Sequence, residues 1–236
     1  MCLSTDHNSV FALNLTPQTA YFWNMQVGLG SAVAESCPTF EAERSSDDMN
    51  DPVTNSFPQN VFRFCPVCSS GQFHFQQDNS FLCKDCGFQL YINAAAAVAA
   101  FIEDAAGRIL FSLRAKDPMR GKLDLPGGFV DIMETAQDAL RRELSEELNL
   151  EIFEMSFFTS MPNTYVYGGI TYFTLDLAFV CRVEDFSVIA ANDDVDGYKF
   201  LARDEIDLDE IGLTSIREIV SAYLESEKPW ELYEQE

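Results

Sequence analysis

Positive charge is scarce in this sequence. The chain has 15 Lys and Arg against 38 Asp and Glu, a formal net charge of −23, and no Lys or Arg precedes Arg44. A surface this acidic repels phosphate backbones, which excludes duplex nucleic acid as a general partner. A small polyanionic substrate would need a cation to bring it in. Also missing is any run of about 18 apolar residues, so no membrane span is predicted. The N-terminus lacks the basic start and compact apolar stretch of a signal peptide. Without an export signal the expected compartment is the reducing cytoplasm. The seven cysteines then read as thiols or metal ligands rather than as a disulfide framework.

What is present suits one ordinary domain with a small extra module. The chain has 236 residues, 47% of them hydrophobic, with 20 phenylalanines for a core. Residues 1–60 read as a leader and linker predicted to be disordered. The part from Arg44 to Asn60 is rich in Ser, Asp, Asn and Pro, and Met49 offers an alternative start. Residues 61–92 carry two Cys-x-x-Cys turns between short aromatic segments of strand character. Residues 93–236 place strands before and after a central helix and end in a helix, the pattern of an α/β or α+β sandwich. Within them, AAAAVAAFIED, an Ala-Ala-Gly turn and RILFSLRAK form a hairpin signal. Two further strands are broken at Gly168-Gly169. In the second, Phe173, Leu175, Leu177 and Phe179 alternate on one face. YKFLARDEI reads as a strand and turn, and Thr214 opens the last helix.

Cys65-Pro-Val-Cys68 and Cys83-Lys-Asp-Cys86 are separated by 14 residues. Each pair makes a tight knuckle that aims two thiolates at one centre, and two knuckles complete a tetrahedral zinc site. Redox Cys-x-x-Cys chemistry or unpaired structural thiols are the competing readings. Four Cys ligands leave no open position, so a zinc held there is expected to be structural. His74, between the pairs on an alternating strand, reads as a surface residue. Cys181 ends an apolar strand and reads as core. Cys2 and Cys37 have no partners in spacing.

The segment GGFVDIMETAQDALRRELSEELNL, residues 127–150, carries Glu143, Glu146 and Glu147 within about one helical turn. Thr135 with Asp138 resembles a capping box, so the helix is predicted to start near Thr135. On a helical wheel with Leu140 at zero, Ala136, Leu144 and Leu148 lie within about 80° and define the buried stripe. Glu147 falls about 20° from Leu140, Glu143 about 60° and Glu146 about 120°, all on one side. Two of the carboxylates therefore overlap the apolar stripe, whereas a charge run is usually a solvated face. Partly buried carboxylates this close take up a proton unless a cation compensates them. A hard divalent cation with oxygen ligands does so, and Mg²⁺ also keeps waters and bridges to phosphates. The Gly127-Gly128 turn lets the backbone approach such a metal closely, and Arg142 can pair with Glu146 or Asp138.

The segment resembles the signature of the Nudix hydrolases: Gly, five residues, Glu, seven residues, then Arg-Glu-apolar-x-Glu-Glu-x-Gly-apolar. Gly128, Glu134, Arg142, Glu143, Leu144, Glu146, Glu147 and Leu150 fall on it in register. Asn149 stands where the family has Gly, and Asn is the next best residue for a left-handed helix end. The resemblance implies an α/β/α sandwich with a mixed sheet, which in this chain follows the zinc ribbon read from the cysteine spacing. It implies hydrolysis of the pyrophosphate in a nucleoside diphosphate linked to another group. Glu143, Glu146 and Glu147 would hold one to three Mg²⁺ or Mn²⁺ ions, with the Gly127 carbonyl as an extra ligand. Glu134 and Arg142 would orient those glutamates. The general base would be a box glutamate or a carboxylate on a later loop, Asp193 or Asp194. LDLPGG and Arg114 look like the family's approach to the box, which places Arg114, Gly127 and Gly128 beside the substrate. The family commonly dimerises, so the resemblance also implies a homodimer.

A zinc ribbon directly before such a domain resembles the NADH pyrophosphatase branch. That branch has a Ser-Gln-Pro-Trp-Pro-Phe-Pro run after the box. Here Ser160 and Pro162 match, while the Trp and the later prolines do not. The architecture argues for a relative of that branch and the substrate motif against the same specificity. Tyr165, Tyr167 and Tyr172 are candidates to stack on a base or nicotinamide, with half-buried strand aromatics as the alternative. ADP-ribose, an ADP-sugar, NADH and a dinucleoside polyphosphate all remain as substrates. Two other classes compete. A non-catalytic nucleotide sensor has no need of all three glutamates. The prenyl diphosphate isomerase of the same fold does not need the full hydrolase box. A nucleic-acid-binding ribbon would want Lys and Arg, yet of these residues 61–92 contain only Arg63 and Lys84.

Overall fold

The computed structural model describes residues 55–192 and 195–226. The leader up to residue 54, and Asp193 and Asp194, lie outside the described residues. Among the described residues a short helix, α1 (Pro58–Val61), comes first. The ribbon strands follow: β1 (Phe73–Phe75), β2 (Ser80–Cys83) and β3 (Gln89–Tyr91), in the order β1-β2-β3. The larger part contains β4 (Ala95–Ile102), β5 (Ile109–Arg114), β6 (Leu123–Asp124), β7 (Gly127–Phe129), helix α2 (Ala136–Leu148), β8 (Ile152–Tyr167), β9 (Ile170–Val183), β10 (Val195–Leu201) and helix α3 (Thr214–Glu225).

The linker reading ran through residue 60, but its last residues are pinned. The Ser56 carbonyl accepts from Thr171 N–H at 2.8 Å, their hydroxyls meet at 2.7 Å, and the Phe57 ring lies 6.1 Å from that of Phe173.

Two sheets carry the larger part. One has the order β7-β4-β9-β8 and the other β10-β5-β6. β4 runs parallel to β9, with Ala97 opposite Asp176, and antiparallel to β7. The first sheet is therefore mixed. The two faces of β4 feed two cores. Val98, Ala100 and Ile102 pack with Leu140, Leu144 and Leu148 of α2. Ala99 and Phe101 pack with Ile216, Ile219, Val220 and Tyr223 of α3. One helix covers each face, which is the α/β/α sandwich. Each fully buried Leu or Ile of these cores contributes roughly 1.5–3 kcal/mol.

The expected β4–β5 hairpin is corrected. The turn exists: Gly107 has φ +73°, and the Asp104 carboxylate accepts from the backbone N–H groups of Ala106 and Arg108, both at 2.9 Å. The strands then separate after one bridge, Glu103 to Ile109. Both edges of β4 are already taken by β7 and β9, so β5 pairs with β6 and β10 instead. The break at Gly168-Gly169 does form a hairpin turn between β8 and β9. Its residues have φ +57° and +80°, the conformation a two-residue turn requires.

Candidate active site

Helix α2 is capped as its sequence requires. The Thr135 hydroxyl oxygen accepts from the Asp138 N–H. At the other end Asn149 adopts φ 54°, ψ 36° and closes the helix in the left-handed conformation. The wheel order holds: Leu140, Leu144 and Leu148 are buried, Glu147 is 8% exposed, Glu143 is intermediate and Glu146 is exposed.

The acidic groups meet on Arg142. Its guanidinium donates to Glu134 at 2.8 and 2.9 Å, to Glu143 at 2.8 Å, to Glu146 at 3.3 Å and to the Phe129 carbonyl at 3.0 Å. The Arg142 bonds, with an added Asp131 N–H, hold the Glu134 carboxyl down at about 2. Burial pushes the Glu143 carboxyl up, against the pull of Arg142. The carboxylates do not close on a single point. Glu143 and Glu146 share Arg142, while Glu147 lies one position on and accepts the Gly127 N–H at 3.1 Å. The Gly127 contact in view is thus its N–H rather than its carbonyl.

Both glycines of β7 are needed for close approach. A Cβ on Gly128 would sit 2.5 Å from the Glu143 carboxyl group. One on Gly127, whose φ is +146°, would sit 2.0 Å from the Val98 carbonyl oxygen. The two clashes differ in kind. Gly127→Ala is expected to destabilise the fold by about 3 kcal/mol or more, because it strains backbone against backbone. Gly128→Ala meets the end of a flexible side chain. It is expected to keep its melting temperature while displacing Glu143 and lowering turnover at least tenfold. Thermal melts and rate assays of the two variants check this.

The Glu134–Arg142 pair should also show in acid stability. A carboxyl depressed in the folded chain stabilises it above the ordinary value near 4.5. That contribution is lost as pH falls from there towards about 2. The melting-temperature gap between the parent and Glu134→Gln is expected to be constant from pH 5 to 7 and to shrink below it.

Gly127 and Gly128 form the wall between the acidic helix and an open cleft of about 670 Å³. Arg114 and Tyr165 line it, as do Tyr167 and Tyr172. Tyr165 and Tyr172 stack with centroids 5.9 Å apart and planes at 20°. Arg114 donates to the Asp124 carboxylate and, at 2.8 Å, to the Pro118 carbonyl. Burial pushes the Asp124 carboxyl up; Arg114 opposes this, and nearby Asp176 adds to it.

The sequence reading missed Asn163, Thr174 and Asp176 in this cleft, and Asp124 with them. Asp176 is 4% exposed and accepts the Thr174 hydroxyl at 2.7 Å and the Ser215 hydroxyl from α3. Residues 172, 174 and 176 are the polar register of an alternating strand, normally read as facing water.

The cysteines come together as their spacing predicts. Their four sulfurs lie within 4.8 Å of one another, with Cys65 3.7 Å from Cys86 and Cys68 3.6 Å from Cys83. A tetrahedron with metal–sulfur bonds of about 2.3 Å has edges of about 3.8 Å. The two knuckles repeat one geometry. Cys65 N–H bonds the Ser70 carbonyl and Ser69 N–H bonds Cys65; Cys83 N–H bonds Phe88 and Gly87 N–H bonds Cys83. Ser69 and Gly87 both have positive φ. His74 is exposed and Cys181 is buried, as expected.

The profile of the NUDIX domain matches residues 93–223. The chain belongs to the Nudix family. It is 41% identical over 63 residues to an ADP-ribose pyrophosphatase of Methanocaldococcus jannaschii, covering 27% of this chain and 37% of that protein. It is 25% identical over 122 residues to the NAD-capped RNA hydrolase NudC of Deinococcus radiodurans, covering 51% of this chain and 44% of the relative. The chain thus spans less than half the length of these curated relatives. A Nudix hydrolase structure from Nitrosomonas europaea superposes with a TM-score of 0.54 at 21% identity, covering 70% of this chain and 92% of that one. This similarity supports the fold.

Proposed function

We propose that the chain is a divalent-metal-dependent pyrophosphohydrolase acting on a nucleoside diphosphate linked to a second group. The observation that carries this is the placing of Glu143 and Glu146 on Arg142 and of Glu147 on the Gly127 N–H, with Gly127-Gly128 between the acidic helix and the cleft. Glu143, Glu146 and Glu147 would hold Mg²⁺ or Mn²⁺, with the Gly127 carbonyl as an additional donor. When bound, the ion neutralises the diphosphate and activates water. Arg142, itself held by Glu134, keeps Glu143 and Glu146 in place, the Gly127 N–H keeps Glu147, and a box glutamate or Asp194 takes the proton from water. Arg114, Tyr165 and Tyr167 contact the organic part of the substrate. Cys65, Cys68, Cys83 and Cys86 hold a structural Zn²⁺.

We assign residues 61–92 to the ribbon and 93–236 to the catalytic domain, and read the protein as a cytoplasmic homodimer. Among the described residues no helix is long and apolar enough to cross a membrane. A net charge of −23 favours a small substrate over an RNA tail. The test is chromatography of products with Mg²⁺ or Mn²⁺ and a panel of NADH, NAD⁺, ADP-ribose, ADP-glucose and diadenosine polyphosphates. A nucleoside monophosphate is expected from at least one of them. Binding without hydrolysis across the whole panel would favour the nucleotide sensor instead.

A further inference from the structure

The run of alanines in β4 needs an explanation. Alanine is a poor strand former, yet Ala95, Ala97 and Ala99 occupy one face of a central strand and line the cleft. The ladder puts them in rows with β9 and β8. Ala95 lies opposite Thr174, which lies opposite Asn163; Ala97 lies opposite Asp176. One row further out is the Tyr165–Tyr172 pair. Towards the interior the same face is closed by Ile216 and Leu213 at the start of α3. Small side chains on one strand and polar side chains on the next leave a flat space. It has an aromatic pair at its mouth and oxygen acceptors along one edge.

Asp176 sets the chemistry of that edge. It is buried, it lines the cleft, and among the described residues it makes no ion pair. Its two oxygens accept one hydroxyl each, and a carboxylate oxygen has room for a second donor. A buried acceptor of this kind strongly disfavours an anion and gains from an N–H group. The diphosphate therefore belongs on the Gly127-Gly128 side, and the inner end of the cleft suits a flat group with donors on its rim.

We propose that this face of β4, β9 and β8 recognises the amino edge of a nucleobase, with Asp176 as the acceptor and Asn163 beside it. The proposal rests on the reading of the cleft as the nucleoside site. It implies that the protein distinguishes bases by an exocyclic amine, since a site built to bond a donor is left unpaired by an analogue without one.

The test uses the full chain with Mg²⁺ and calorimetric titration of AMP, GMP and purine riboside 5′-monophosphate, which has no exocyclic amine. One of the two amino-bearing nucleotides is expected to bind about tenfold or more tightly than the purine riboside compound. Asp176→Asn keeps the shape and can still bond both hydroxyls, and in it that ratio is expected to fall towards one. Ala97→Leu fills the flat space and is expected to abolish nucleotide binding while the melting temperature is kept. Equal binding of all three nucleotides, no binding of any, or a ratio unchanged in Asp176→Asn would overturn the proposal. These are equilibrium readings, so a failure of the panel to be hydrolysed would count against the hydrolase reading alone.

Discussion

Replacing Glu147 with glutamine is expected to lower turnover by roughly 100-fold or more while leaving the fold unchanged. The magnitude follows from metal sites generally, where loss even of a partner behind a ligand costs about 10–100-fold. The fold is expected to survive because of what Glu147 does in the structure. It is nearly buried and accepts the Gly127 N–H at 3.1 Å. Glutamine has the same length, and its amide oxygen can accept the same bond. What it loses is the charge that a divalent ion requires. A melting curve alongside rate measurements separates the two effects. If Glu147→Gln turned over as fast as the parent, Glu147 would not be a metal ligand. If it melted many degrees lower, the Gly127 contact would be the main role of the side chain. Lowered metal affinity, read by titrating Mn²⁺, is the third expected sign.

The acidic helix was legible because a helix imposes its own geometry. Once the cap at Thr135 and the leucine stripe are found, the angle of each residue follows, and so does the burial order Glu147, Glu143, Glu146. The knuckles were legible for a similar reason: the contact that matters lies within four residues of chain. The β4–β5 relation was not. Whether two strands joined by a tight turn stay paired depends on what competes for their edges. β7 and β9 are distant in sequence, and nothing in AAAAVAAFIED announces them. The cleft failed on the same ground. Thr174 and Asp176 alternate with apolar residues as a solvent-facing register does. Only the parallel pairing with β4 and the arrival of α3, bringing Ser215, turn that face into an interior wall. Asp124 is buried for a comparable reason, since its partner Arg114 lies across a strand pair.

Removing the zinc proposed for the four-cysteine cluster is expected to unfold the ribbon and leave the two sheets of the larger part intact. The ribbon has little to hold it otherwise. Its strands are three or four residues long. Its own buried core consists of Phe73 and Phe81 with Cys65 and Cys83, flanked by partly buried Phe62, Phe88, Leu90 and Ile92. Segments below about 40 residues generally need a metal or disulfides to fold, and the described cysteines are free thiols. A structural zinc site supplies about 10–16 kcal/mol of apparent binding energy, enough to decide whether such a module folds. The cores on either side of β4 contain no ribbon residue, so they have no reason to melt with it. Elemental analysis of the parent is expected to give about one zinc per chain, and Cys83→Ser close to none. Hydrogen exchange is expected to show β1–β3 losing protection in the variant while β4 and β9 keep theirs. A Cys83→Ser chain that retained zinc and kept β1–β3 protected would show that the four thiols are not a metal centre. Loss of protection in β4 as well would show that the ribbon braces the larger part, with the Ser56–Thr171 contact as the first place to look.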